Sequence, residues 1–187
     1  MSPYVKSRMD YISLLLSQDV DRILYYARLQ ADHADYQFTE VRLDTIVEEV
    51  AGEYRTAMEE RNISLWTELQ PLTVRTDGKV LHFMLSQLMS NAVKYTDSEK
   101  GEISVSMSQT GDKTLLVIWN NGEGVPAEDM PFVFDKGFTG SHPDRQKATG
   151  MGLYLVKKFA DKLCVDVQLA GETSPGEGFG IRLIFTR

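Results

Sequence analysis

From about Val5 to Leu29 apolar residues recur at steps of three and four. Met9, Ile12, Leu16, Val20, Ile23 and Ala27 form one stripe, and Leu14, Leu15, Leu24 and Leu29 widen it. That period predicts a long helix, and so wide a stripe needs a packing partner. The partner is either the core of the same domain or another helix of a helical-hairpin dimerisation module; periodicity does not choose between them. A polar segment, Gln30 to Gln37, marks a domain boundary and leads into an extended stretch at Phe38–Val41. Leu43 to Arg61 reads as a second helix with Leu43, Ile46, Val47, Val50, Tyr54 and Met58 on one face, and Asp44 is placed to cap it or complement its dipole. Alternation predicts strands at Ile63–Thr67 and Leu72–Arg75, and Asp77-Gly78 marks a turn. A third helix, Val80 to Lys94, carries Leu81, Met84, Leu85, Leu88 and Val93 inward. A hairpin follows, Glu102–Gln109 and Lys113–Trp119 around Gly111-Asp112. After a loop at Met130–Arg145 come a helix at Gly150–Leu163 and strands at Val165–Leu169 and Gly180–Phe185. Helices alternating with antiparallel hairpins predict an α/β (α+β) two-layer sandwich: a mixed, mostly antiparallel sheet with helices on one face, plus the long N-terminal helix.

Composition narrows the class. The 187 residues are 42% hydrophobic and 25% charged, enough for one substantial core. A net charge of -7 argues against a phosphate-tracking nucleic-acid surface. Cys164 is the sole cysteine, so neither an intramolecular disulfide nor a thiolate cluster is available, and its apolar neighbours suggest a buried small hydrophobe. No apolar run approaches the length of a membrane span, and the chain as given reads as soluble in a reducing compartment.

Three short stretches carry the chemistry. Gln87 and Asn91 lie at i and i+4 and therefore share a helix face, followed by Lys94-Tyr95. Asn120-Asn121-Gly122-Glu123-Gly124 ends an apolar strand, where Gly122 and Gly124 allow close backbone approach. Thr149-Gly150-Met151-Gly152-Leu153 opens a helix, whose free N–H groups form a natural anion site. The Gly-Lys-Ser/Thr ending of a P-loop is missing, and the spacing does not fit a dinucleotide fingerprint. Each stretch alone has a bland reading as solvated face, turn or helix start. Together, in this order, they describe a nucleotide site.

The ordered boxes resemble those of the sensor histidine kinase ATP-binding domain, within the wider family of gyrase-type and heat-shock chaperone ATPases. The resemblance covers Phe38 to Arg187. Phe134-Asp135-Lys136-Gly137-Phe138 together with the Thr149–Val156 stretch looks most like the small Gram-positive kinases that partner peptide-antibiotic exporters. It implies ATP and Mg2+ as ligands, with Asn91 helping to hold the ion, Gln87 reaching the same ion or its water, Lys94 near the phosphates and Tyr95 against the adenine. Asn120 replaces the family's aspartate; its carbonyl can still accept from the adenine amine, but without the charge assistance of a carboxylate, a loss of about 1 kcal/mol. Phe134 and Phe138 resemble the box anchoring a mobile lid, in which His142, Arg145 and Lys147 are either phosphate contacts or solvated loop charges. Ala148 replaces a family glycine, and Gly176-Glu177-Gly178 resembles the last glycine box.

The family's acceptor histidine has no counterpart in context. His33 lies in the polar linker, His82 on the helix of Asn91, and His142 before Pro143. The first helix resembles the second helix of the dimerisation hairpin instead. The expectation is therefore a partial acceptor hairpin and linker at 1–36 and an ATP-binding catalytic domain at 37–187, able to bind ATP but not to phosphorylate itself. The resemblance further implies a response regulator, a homodimer in the intact kinase, a membrane transporter as partner, and a position on the cytoplasmic side of a membrane-anchored protein. A non-catalytic nucleotide-binding module and an anti-sigma-type serine kinase of the same fold are the competing readings.

Overall fold

The computed structural model describes residues 3–30, 35–140, 149–171 and 177–186. Helix α1 spans Pro3–Gln30, β1 Thr39–Arg42, α2 Leu43–Glu53, α3 Arg55–Glu60, β2 Ser64–Glu68, β3 Thr73–Thr76 and α4 Gly78–Tyr95. The second half adds β4 Glu102–Thr110, β5 Lys113–Asn120, α5 Gly152–Leu163, β6 Val165–Leu169 and β7 Phe179–Thr186, with a 3-10 turn at Met130–Phe132. The main sheet runs β2-β4-β5-β7-β6, with β2 parallel to β4 and the other pairs antiparallel, and β1 pairs antiparallel with β3 in a separate small sheet. This is the mixed sandwich that the periodicities predict.

The strand period of two fixes which face is buried. Ile103, Val105 and Met107 of β4, Leu116 and Ile118 of β5, and Ile181, Leu183 and Phe185 of β7 point inward. Against them lie Leu43, Val47 and Val50 of α2, Leu81, Met84, Leu85 and Leu88 of α4, and Leu155, Val156 and Phe159 of α5. Asn120 continues the inward stripe of β5, so the sheet register delivers a polar amide to the core face at its end.

Three local expectations change, and one, that of Asp44, narrows to one of its two alternatives. The helix read as continuous from Leu43 to Arg61 breaks at Tyr54, two residues after Gly52, whose low helix propensity eases the break. Asp77 is an N-cap rather than a turn residue: its carboxylate accepts from the Lys79 and Val80 N–H groups, both at 3.1 Å, so α4 starts two residues early. Asp44 is not the N-cap, which is Arg42, but it stands in the first turn of α2, where it complements the dipole, and it pairs with the Arg42 guanidinium, which holds the carboxyl below the usual range. Cys164 is exposed, not buried, because it sits past the end of α5 in a left-handed conformation that turns it out of the core.

Helix α1 departs furthest from its pattern. Met9, Ile12, Leu16, Val20, Ile23 and Leu24 are all more than half exposed. The face toward the domain carries Gln18, Arg22, Tyr25, Tyr26 and Leu29 instead. Tyr25 stacks on Phe83 of α4 at 4.0 Å and meets Phe159 of α5 edge-on at 5.4 Å. No helix among the described residues is long and apolar enough to cross a membrane.

Candidate functional site

A cavity of about 490 Å³ opens between the C-terminal half of α4, the loop after β5 and the start of α5. Its walls include Asn91, Lys94 and Tyr95 from the first predicted stretch, Gly124 from the second, and Thr149, Gly150, Gly152 and Leu153 from the third. Three stretches separated in the sequence thus converge on one space. Met151 packs against the core beside the cavity rather than lining it.

Close backbone packing builds the walls. A Cβ on Gly122 would stand 1.9 Å from the Tyr95 carbonyl oxygen, so the glycine lets the loop after β5 lie on the end of α4. Gly150 has φ +62° and abuts Gly137, whose N–H donates to the Gly150 carbonyl at 3.1 Å. That bond ties the Phe134–Gly140 segment to the entry of α5. Phe138 lines the cavity, while Phe134 packs on the core. Asn121, passed over in the sequence, locks the same region: its carbonyl accepts from Thr96 Oγ1 at 2.7 Å and from the Glu102 N–H at 2.9 Å.

The predicted ligand-binding amides take two different positions. A Cβ at Gly152 would be 3.5 Å from Gln87 Oε1, 3.7 Å from Asn91 Nδ2 and 3.9 Å from Asn91 Oδ1, so two amide groups converge above that glycine. Hard oxygen donors such as theirs suit Mg2+, which keeps several waters and uses few protein ligands. Gln87 is only 1% exposed, and its oxygen accepts from Arg22 Nε at 2.6 Å. Asn120 is 2% exposed and is not a wall of the cavity. The amide orientation that satisfies it puts its oxygen 3.1 Å from the Gly122 N–H and its nitrogen 3.2 Å from the Phe179 carbonyl. The Asn120 amide is thereby satisfied within the protein, where an amide reading the adenine from the cavity wall was expected. Arg145, Lys147, His142, Ala148, Gly176 and His33 lie outside the described residues. His82 pairs with Glu53 at 2.9 Å and is not among the cavity walls.

The sequence reading missed one whole wall, because α1 supplies it. Gln18, Asp19 and Arg22 line the cavity with Tyr54 and Ser90. Gln18 is 4% exposed; its amide nitrogen donates to the Tyr54 hydroxyl and its oxygen accepts from Ser90 Oγ at 3.2 Å. Tyr54 in turn donates to the Ser86 carbonyl at 2.8 Å, and burial pushes its pKa up to about 12. Farther along α1, the Tyr26 hydroxyl accepts from Lys136 Nζ at 2.7 Å and joins the helix to the Phe134–Gly140 segment.

Comparisons with known proteins bear on the family and the fold. A family model described as histidine kinase-, DNA gyrase B-, and HSP90-like ATPase matches residues 76–187. Sensor protein BceS of Halalkalibacterium halodurans is 32% identical over 184 residues, covering 98% of this chain and 54% of that protein. The chain spans about half the length of the curated relatives it matches. Full-length ShkA, solved in complex with AMPPNP, superposes with a TM-score of 0.75 at 25% identity over 91% of this chain and 35% of that one. Histidine kinase ThkA, solved in complex with response regulator protein TrrA, superposes with a TM-score of 0.71 at 21% identity over 100% of this chain and 52% of that one, a likeness of fold.

Proposed function

The chain belongs to the family of histidine kinase-, DNA gyrase B- and HSP90-like ATPases, and from that premise we propose that it is the ATP-binding catalytic part of a two-component sensor histidine kinase. Residues 1–36 are a dimerisation-type helix and linker, and residues 37–187 bind the nucleotide. The observation that carries the reading is the convergence of Asn91, Tyr95, Gly124 and Gly150 on one cavity. Tyr95 and Gly124 form the adenine end, the N–H groups at the start of α5 receive phosphate oxygens, and Asn91 with Gln87 offers amide oxygens to Mg2+. The ion supplies charge neutralisation to the phosphates when bound. The residues of this chain hold the γ-phosphate in line with a histidine nucleophile, so that positioning supplies most of the rate.

The phosphoryl group passes from that histidine to an aspartate of a response regulator, a partner supported by the complex recorded for ThkA. The acceptor belongs to another helix, and the outward apolar stripe of α1 suits the homodimer of an intact, membrane-anchored kinase. The relative's name, sensor protein BceS, supports a sensor role, and the resemblance of the Phe134–Phe138 and Thr149–Val156 stretches to kinases that partner peptide-antibiotic exporters adds a membrane transporter as a further partner. Neither the regulatory-module reading nor the serine-kinase reading is favoured by these relatives.

Calorimetric titration with Mg-ADP tests the proposal. Binding at micromolar to millimolar levels, weakened about tenfold or more in Asn91→Ala, is expected from the loss of a ligand to a charged centre. Adding a separately expressed acceptor hairpin with Mg-ATP should then yield acid-labile phosphohistidine on the hairpin. A folded chain that gives no heat with millimolar Mg-ADP refutes the nucleotide site; binding without transfer refutes the kinase.

A further inference from the structure

Arg22 brings a positive charge to the cavity from an element that none of the three motif stretches includes. Its Nε donates to Gln87 Oε1 at 2.6 Å, and Nη1 lies 2.9 Å from the Asp19 carboxylate. The side chain is 23% exposed, so most of its guanidinium is withdrawn from water. Among the described residues lining the cavity, the cations are Arg22 and Lys94. Lys94 is exposed, and its ammonium sits 4.8 Å from the centre of the Tyr95 ring.

The geometry around Arg22 suits an oxyanion. Gln87 fixes the orientation of the guanidinium through Nε, leaving Nη2 without a protein partner among the described residues. Gln87 Oε1 also belongs to the amide pair over Gly152. The guanidinium is therefore held beside the amide pair and at the start of α5, where phosphate oxygens would collect. Its ion-pair partner is weak: Asp19 is 65% exposed, and a solvent-screened pair of this kind contributes little. A planar fork favours bidentate contact with phosphate over a single exposed carboxylate. In a chain of net charge -7, a polyphosphate also needs local positive charge to be attracted at all.

We propose that Arg22 is a phosphate contact of the nucleotide cavity, supplied by α1, so that the polyphosphate chain and the docking of α1 stabilise each other. The inference rests on the nucleotide reading above. Because binding linkages are reciprocal, a nucleotide held by Arg22 strengthens the seating of α1 by the same factor by which α1 strengthens the nucleotide.

The test compares adenosine, ADP and AMPPNP on the full chain by titration calorimetry, for wild type, Arg22→Gln and Arg22→Lys. Arg22→Gln should weaken ADP and AMPPNP about tenfold or more and leave adenosine within about twofold. Arg22→Lys should fall between, keeping charge but losing the fork. Equal losses for adenosine and ADP would make Arg22 a purely structural residue, and unchanged or tighter polyphosphate binding would make α1 an obstruction; either overturns the proposal. The Arg22 Nε resonance of the unmodified chain gives a readout independent of the variants. It should shift with AMPPNP and stay in place with adenosine, and a resonance indifferent to a bound AMPPNP overturns the proposal. A wild-type chain that binds neither nucleotide fails at the earlier step, the cavity itself, whereas a chain that binds ADP through Asn91 but ignores Arg22→Gln fails only here.

Discussion

Helices α1 and α4 carry the same kind of signal, an apolar stripe repeating at three and four residues, yet they present opposite faces to the domain. Helix α4 turns Leu81, Met84, Leu85 and Leu88 into the core, where each is at most 3% exposed, and leaves Asn91 and Lys94 at the cavity edge. Helix α1 leaves Leu16, Val20 and Ile23 in solvent and turns Gln18 and Arg22 toward the protein. A periodic stripe therefore identifies a helix and an apolar face, but not the surface that covers it. For α4 that surface is the sheet of its own domain. For α1 the domain offers polar partners, Tyr54, Ser90 and Gln87, beside aromatic ones, Phe83 and Phe159, for Tyr25, and the stripe is left for something else.

Truncating one residue from each stripe breaks the comparison most directly. Leu85→Ala should destabilise the fold by about 2–5 kcal/mol, since a buried leucine leaves both a transfer loss and a cavity. Leu16→Ala, at 63% exposure, should shift stability by less than about 0.5 kcal/mol. Urea unfolding of both variants at low protein concentration measures the difference. Comparable losses in the two would mean that α1 buries its stripe in solution.

The polar seam between α1 and the domain has its own signature in alkali. Tyr54 has its pKa raised from 10.0 to about 12, chiefly by burial, while its hydroxyl accepts from Gln18 and donates to Ser86. A raised folded-state value means that the folded chain holds this proton more tightly than the unfolded one. Its contribution is fully present below pH 10 and is lost as pH rises through about 12, at about 1.4 kcal/mol per unit, or close to 3 kcal/mol in all. Stability measured between pH 9 and 12 should fall more steeply in wild type than in Tyr54→Phe. Parallel curves would place the hydroxyl in water.

Much of the domain was legible because local and long-range preferences agree. Strands β4 to β7 alternate cleanly, the helices of the sandwich are amphipathic, and the glycines of the three motif stretches stand where backbone must approach backbone, as Gly122 does at Tyr95. Asn91, Tyr95, Gly124 and Gly150 met as expected. What failed depended on partners remote in sequence. The buried role of Gln18 comes from one hydrogen-bonded chain linking α1, Tyr54 and Ser90, and no local pattern encodes it. No motif marks the polar residues of α1, so the wall made by Gln18, Asp19 and Arg22 went unseen. Cys164 failed for a simpler reason: its apolar neighbours belong to α5 and β6, and it occupies the turn between them.

The smallest effect on the fold should carry the largest effect on association. Leu16, Val20, Ile23 and Leu24 form a continuous exposed apolar strip, and a strip of that extent normally marks a contact surface rather than a solvated one. Replacing Leu16 and Ile23 together by Ser removes apolar surface that the domain does not use, so monomer stability should change by no more than about 0.5 kcal/mol. Helix propensity falls slightly at two positions, which sets the sign as weakly destabilising. Because Arg22 and Gln18 lie on the other face, Mg-ADP affinity should stay within about twofold. Sedimentation equilibrium should show the reverse weighting: self-association of the wild-type chain, or its binding to an acceptor hairpin, drops sharply in the double variant. If the same substitution instead loosens nucleotide binding while leaving association intact, then the two faces of α1 are not independent, and the division between an inward polar seam and an outward apolar stripe is wrong.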